Sequence, residues 1–97
     1  MKYSVRFSPF AKEDKGDIIA YLSKFYPETP NRFKALLKEY ITKLKENPYQ
    51  YSIYQDNPEY RHALVGNYFI FYKINEEKKQ ISIYRILRAS WDIPNYL

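Results

Sequence analysis

The chain has 97 residues, of which 45% are hydrophobic and 20% aromatic, and a formal charge of +5. That suffices for one compact domain, expected over residues 1–97, with a core of its own, and is too little for two. With no Cys and a single His, His62, a disulfide framework, a thiolate metal site and a histidine zinc cluster are excluded.

Asp and Glu form no cluster that suggests a carboxylate metal site, so neither metal nor cofactor is expected. The opening MKYSVRFSPF lacks the apolar run of a signal peptide, and no stretch approaches membrane-spanning length. The expectation is a soluble cytoplasmic protein without a membrane partner. A pI near 9.3 favours an anionic partner, either nucleic acid or an acidic protein segment, although charge of this size also serves plain solubility.

Residues 2–7 alternate, with Tyr3, Val5 and Phe7 on one face, and predict a half-buried strand. Ser8 and Pro9 follow as an N-cap and a first-turn proline. A helix to about Lys24 places Phe10, Asp14, Ile18, Tyr21, Leu22 and Phe25 along one stripe, which Asp14 interrupts and Gly16 weakens. Residues 26–30 break the pattern. Thr29 and Pro30 repeat the cap-then-proline signal, and a second helix is expected from about Asn31 to Glu46, ended by Asn47 and Pro48. The two helices should form an antiparallel hairpin with a shared apolar face.

Residues 49–59 read as the one long irregular connection. Three strands then follow, at about 60–65, 67–75 and 79–88, separated by Gly66-Asn67 and a solvated turn at 75–79. The order is β-α-α-β-β-β, an α+β fold with a sequential antiparallel meander. On the middle strand Tyr68, Ile70, Tyr72 and Ile74 share one face, and Phe69, Phe71 and Lys73 the other. Helices cover only one face. Phe69 and Phe71 therefore form either an exposed binding patch or the seat of a C-terminal tail carrying Trp91, Ile93, Tyr96 and Leu97.

Arg61, Arg85 and Arg88 stand out on strands otherwise built from aromatic and β-branched residues. Arginine is rarely buried unpaired, so these groups either find partners inside (Asp14, Asp92 or a carbonyl) or face an anionic ligand. Arg85 falls between Ile83 and Leu87 on its face, and Arg88 at the strand end is the more exposed. His62 alternates to the face opposite Arg61.

Four stretches, FSPFAKEDKGDIIAYL (7–22), LKENPY (44–49), YRHALVGNYFIFYKI (60–74) and ISIYRILRASWDIPNYL (81–97), together resemble the RelE/ParE superfamily of bacterial toxins from type II toxin–antitoxin pairs. The resemblance covers almost the whole chain. It implies a RelE/ParE-like fold and a cognate acidic antitoxin as partner. RelE-like members cut mRNA in the ribosomal A site, whereas ParE-like members act on DNA gyrase.

Metal-free RNA cleavage needs a base for the 2′-oxygen, stabilisation of the phosphorane and an acid for the leaving group. The resemblance puts Arg61, Arg88 and Tyr96 in that set. However, Ala63 and Phe69 occupy positions where RNA-cleaving relatives carry cations, and arginine is a poor base because its pKa is above about 12. The ending RILRASWDIPNYL is similar to ParE-like tails. The reading is therefore a ParE-like gyrase inhibitor, with no catalytic role of its own. Its surface for target and antitoxin is expected to use Arg61, Phe69, Phe71, Arg85, Arg88 and Trp91. The alternatives are a ribosome-dependent mRNA endonuclease, with ribosome and mRNA as partners, and an inactive member that only binds antitoxin. No sequence-specific DNA binding by the isolated chain is expected, because Lys34, Lys38, Lys43 and Lys45 are interleaved with Glu39 and Glu46.

Overall fold

Alternation at the N-terminus and helical spacing after Ser8 both hold in the computed structural model, which describes residues 3–25, 29–91, 93–95 and 97. Strand β1 covers Ser4–Phe7 and helix α1 Pro9–Leu22. The Ser8 hydroxyl accepts from the Ala11 amide at 3.0 Å, as an N-cap should, and donates to the Tyr84 carbonyl at 2.7 Å. Helix α1 stops two residues short of Lys24, where the Ser23 hydroxyl turns back to the Ile19 carbonyl at 2.7 Å. Helix α2 spans Thr29–Glu46 and starts two residues earlier than expected, since a proline in the first turn removes no helical hydrogen bond.

Past a 3-10 turn at Pro48–Gln50 come β2 (Ser52–Ile53), β3 (Arg61–Val65), β4 (Tyr68–Asn75) and β5 (Gln80–Arg88), and a second 3-10 turn at Ile93–Asn95. The sheet order is β1-β5-β4-β3-β2. The expected β3-β4-β5 meander is present, and β1 runs parallel to β5, so the first and last strands are neighbours. Strand β2 corrects the reading of 49–59 as irregular throughout. Two residues are too few to show alternation, and their pairing with Arg61 and His62 is a tertiary effect. Gly66 takes a φ of 61° in the tight β3–β4 turn, a conformation that costs other residues about 1 kcal/mol or more.

Both helices pack on one face of the sheet. Ala11 and Ile18 of α1 and Phe33, Leu37, Tyr40 and Leu44 of α2 meet Ala63, Val65, Tyr68, Ile70, Tyr72, Ile81, Ile83 and Ile86. On the opposite face Phe71, Leu87 and Ile93 form a smaller core, flanked by Tyr54, Phe69 and Leu97. The tail therefore does fold back: Phe71 is fully buried and Phe69 half-buried, so the pair is no open patch.

One irregularity decides where the arginines go. Phe71 lies opposite Arg85 and Tyr72 opposite Ile83, leaving Tyr84 as an extra residue in β5. Simple alternation put Ile83, Arg85 and Leu87 on one face. The bulge resets the phase, so Ile83 joins the helix-side core and Leu87 the opposite one.

Candidate functional site

Where β1 ends, the outer edge of β5 would be bare from Tyr84 onward. Side chains of the Ser8–α1 segment complete it instead. Ser8 takes the Tyr84 carbonyl, and the Asp14 carboxylate accepts from the Ile86 amide at 3.0 Å. The same carboxylate accepts from Arg85 Nε at 2.8 Å and Nη2 at 2.9 Å, a two-pronged pair with both side chains largely buried. Hydrogen bonding to Asp14 raises the Arg85 pKa further above its ordinary range. This explains why Asp14 interrupts the apolar stripe of α1.

Arg61 is engaged at the other end of the sheet. Its Nη1 donates to the Tyr51 carbonyl at 2.7 Å, and its guanidinium lies 5.1 Å from the centre of the Tyr49 ring. The Tyr72 hydroxyl donates to the Pro48 carbonyl at 2.6 Å. Together they pin residues 48–53 against β3 and β4.

Of Arg61, Arg85 and Arg88, the last is the one that lines a cleft. Its guanidinium sits 4.8 Å from the centre of the Tyr21 ring, and hydrogen bonding with Tyr21, then Tyr68, raises its pKa. The cleft measures about 250 Å³ and runs between α1 and the end of β5, with Ile18 and Ile86 as its floor. Asp14, Asp17, Tyr21, Tyr68 and Trp91 complete the wall. Tyr21 and Trp91 are 41% and 44% exposed, so the mouth is aromatic, with the exposed Asp17 beside it, while half-buried Arg88 and Asp14 lie deeper. Such a cleft suits an apolar anchor, with Arg88 as its cationic group and the Asp14 charge already met by Arg85.

Of the residues singled out from sequence, Arg88 and Trp91 thus come together, with Arg85 close by through Asp14. Trp91 leaves the rest of the tail to line this cleft, whereas Ile93 and Leu97 cover Phe71. Arg61 lies apart: it faces Tyr72 across the β3–β4 ladder, while Arg88 faces Tyr68 across the β4–β5 ladder. That four-residue offset is roughly 13 Å along the strand at about 3.3 Å per residue. Tyr96 and Asp92, both named from sequence, lie outside the described residues. Sequence reading missed Asp17, Tyr21 and Tyr68 as cleft residues, although the i, i+3, i+4, i+7 spacing of Asp14, Asp17, Ile18 and Tyr21 marks one face of α1.

On the opposite face His62 is wedged among the rings of Tyr54, Phe69 and Phe71, with its Nδ1 buried and without a hydrogen-bond partner among the described residues. Ala63 is buried under the helices. Further along, Tyr60 stacks on Tyr84 at 4.9 Å, with the Lys73 ammonium 4.7 Å from the Tyr60 ring. Among the described residues no three of His, Cys, Asp and Glu stand close enough to hold a metal ion. No helix among them is long and apolar enough to cross a membrane.

The fold and cleft can be set beside known proteins. A family model for the ParE toxin of type II toxin–antitoxin systems matches residues 5–93. The chromosomal ParDE system from P. aeruginosa contains a chain similar to this one with a TM-score of 0.76 at 18% identity, covering 92% of this chain and 98% of that one. The RelBE2 toxin–antitoxin complex from Mycobacterium tuberculosis is similar with a TM-score of 0.66 at 21% identity, covering 91% and 99%. The intact RelBE complex of E. coli gives 0.64 at 15% identity, covering 92% and 99%. No curated protein sequence matches the chain.

The architecture is that of the RelE/ParE-like toxins. The chain belongs to the ParE toxin family, and is therefore the toxin component of a type II toxin–antitoxin system.

Proposed function

We propose that the chain is a ParE-like inhibitor of DNA gyrase, acting in the cytoplasm and neutralised by a cognate acidic antitoxin. The separation of Arg61 from Arg88 carries this reading. A ribonuclease would need its cations to converge on one phosphate within hydrogen-bond reach, about 3 Å from each donor. Here Arg61 is held by the carbonyl of Tyr51, while Arg88 stands beside the Tyr21 ring four residues of register away. Inhibition by binding needs no such convergence.

The Arg88 cleft supplies the corresponding surface. An acidic antitoxin segment would place an apolar side chain over Ile18 and Ile86 and a carboxylate against Arg88, with Tyr21 and Trp91 at the rim. The P. aeruginosa and E. coli neighbours are toxin–antitoxin assemblies, which supports the same kind of partner.

Purified protein added to a gyrase supercoiling reaction should stop it, and added to programmed ribosomes should leave A-site mRNA intact. Cleaved mRNA with normal supercoiling would make the chain an endonuclease. No effect in either assay, with antitoxin binding retained, would mark an inactive member.

A further inference from the structure

Lysines that alternate with glutamates along α2 separate once the helix is wound. Lys34, Lys38 and Lys45 fall on the side facing α1, where they meet Lys15 around a cleft of about 300 Å³ floored by Leu37 and Ile41. Glu39 lies on another face and pairs with Lys43. Lys15 also lines a second, shallower recess of about 530 Å³ at the free edge of β1, with Arg6 and Lys12. The Lys15 ammonium lies 5.5 Å from the centre of the Phe7 ring. Neither recess is lined by a carboxylate, and none of the six cations forms an ion pair among the described residues.

These six account for the whole positive balance of the protein, since removing six charges from +5 leaves −1. We propose that the β1–α1–α2 face docks the phosphate backbone of duplex DNA without reading its sequence. It lies apart from the Arg88 cleft, and the two recesses share no lining residue with it.

The composition of the face selects this partner. An acidic peptide that folds on binding needs apolar anchors to offset its ordering. Single strands need exposed rings on which bases stack. Among the described residues the exposed large apolar and aromatic ones are Phe10, Tyr21, Phe25, Leu36, Tyr49, Ile53, Leu64 and Trp91, and none of them lines either basic recess. The apolar lining, Val5, Phe7, Leu37 and Ile41, is buried or half-buried beneath the cations. What the face offers outward is positive charge on flexible stems, the chemistry of phosphate contacts that position a protein but do not specify sequence. The choice of DNA over RNA rests on the proposed gyrase target, which handles duplex DNA.

The test is fluorescence anisotropy of the full chain with a labelled random-sequence DNA duplex across a salt series. Four to six phosphate contacts give a log–log salt slope between about −4 and −5. Changing Lys34, Lys38 and Lys45 together to Gln should reduce that slope by about three. The same change at exposed Lys24, Lys73 and Lys78 should leave it nearly unaltered, with circular dichroism confirming the fold of both. Equal losses in the two triples would mean that net charge alone binds, and would overturn the face. So would an absence of duplex binding at low salt, displacement by polyglutamate at equal charge, or tighter binding to an RNA duplex. The measurement contains no gyrase. A chain that binds DNA here yet leaves supercoiling untouched would sink the target and spare the face.

Discussion

Asp14 and Arg85 meet across 71 residues of sequence, and the carboxylate that holds the guanidinium also accepts the Ile86 amide. One side chain therefore closes a strand edge and neutralises a cation. Replacing Asp14 by Ala strips both at once, and breaking a mostly buried pair should cost about 2 to 4 kcal/mol. Arg85→Leu, which removes the charge together with its need for a partner, should cost less. Urea unfolding of the two variants checks the order, and an equal or reversed ranking would contradict the edge-closing role of Asp14.

Arg88 and Arg61 are expected to separate function from stability. Arg88→Ala, at an open cleft, should abolish growth inhibition and weaken antitoxin binding while shifting unfolding by less than about 1 kcal/mol. Arg61→Ala leaves the Tyr51 carbonyl without its donor and should cost about 1 to 2 kcal/mol. Growth arrest should survive in that variant at permissive temperature. Parallel plating and unfolding assays read both quantities.

Glu76 sets the acid limb of stability. It accepts from Lys79, Tyr49 and Tyr3, and these bonds, that of Lys79 foremost, hold its pKa at about 2. A carboxylate depressed in the folded state stabilises fully above its unfolded value, near about 4.3. That contribution disappears as pH falls toward 2. The opposite sign applies to Tyr49, whose hydroxyl is pushed up to about 12 chiefly by its bond to Glu76. Its contribution is present below about 10. It is lost as pH rises through 12. Melting temperature followed across both limbs should flatten in Glu76→Gln, and an unchanged acid limb would remove the assignment.

Tyr40 carries a buried hydroxyl with no hydrogen-bond partner among the described residues, in a setting where burial drives its pKa well above that of an ordinary phenol. Tyr40→Phe keeps the ring contacts with Tyr51 and Tyr72 and discards the unsatisfied group. Stability should rise by about 1 kcal/mol, readable as a higher urea midpoint with an unchanged slope. A fall would mean that the hydroxyl is satisfied after all.

The elements that could be read from sequence are those encoded locally. Ser8-Pro9, the period of α2 and Gly66-Asn67 each carry their own geometry, and the resemblance of four ordered stretches supplied the family. What escaped depends on distant partners. Strand β2 exists because β3 lies beside it, and the bulge at Tyr84 has no composition that would betray it. That bulge changed the neighbours assigned to Arg85. The site was legible in part: Arg88 and Trp91 were named, but Tyr21 and Tyr68 look like ordinary core aromatics until the cleft is built. Lys34, Lys38 and Lys45 sort to another side of the helix from Glu39, which pairs with Lys43, because sequence neighbours on a helix point about 100° apart.

Among the described residues strand β1 finds its only strand partner in β5, and Ser8 reaches a carbonyl 76 residues away. A growing polypeptide therefore holds its first strand and the exposed edge of its first helix unsatisfied until residues 80–88 exist to receive them. Few early contacts can be locked in, and closure of so long a loop must precede most of the reward. The toxin has no half that stands by itself, so a chain cut before Gln80 should be a substrate for proteases and harmless to its host.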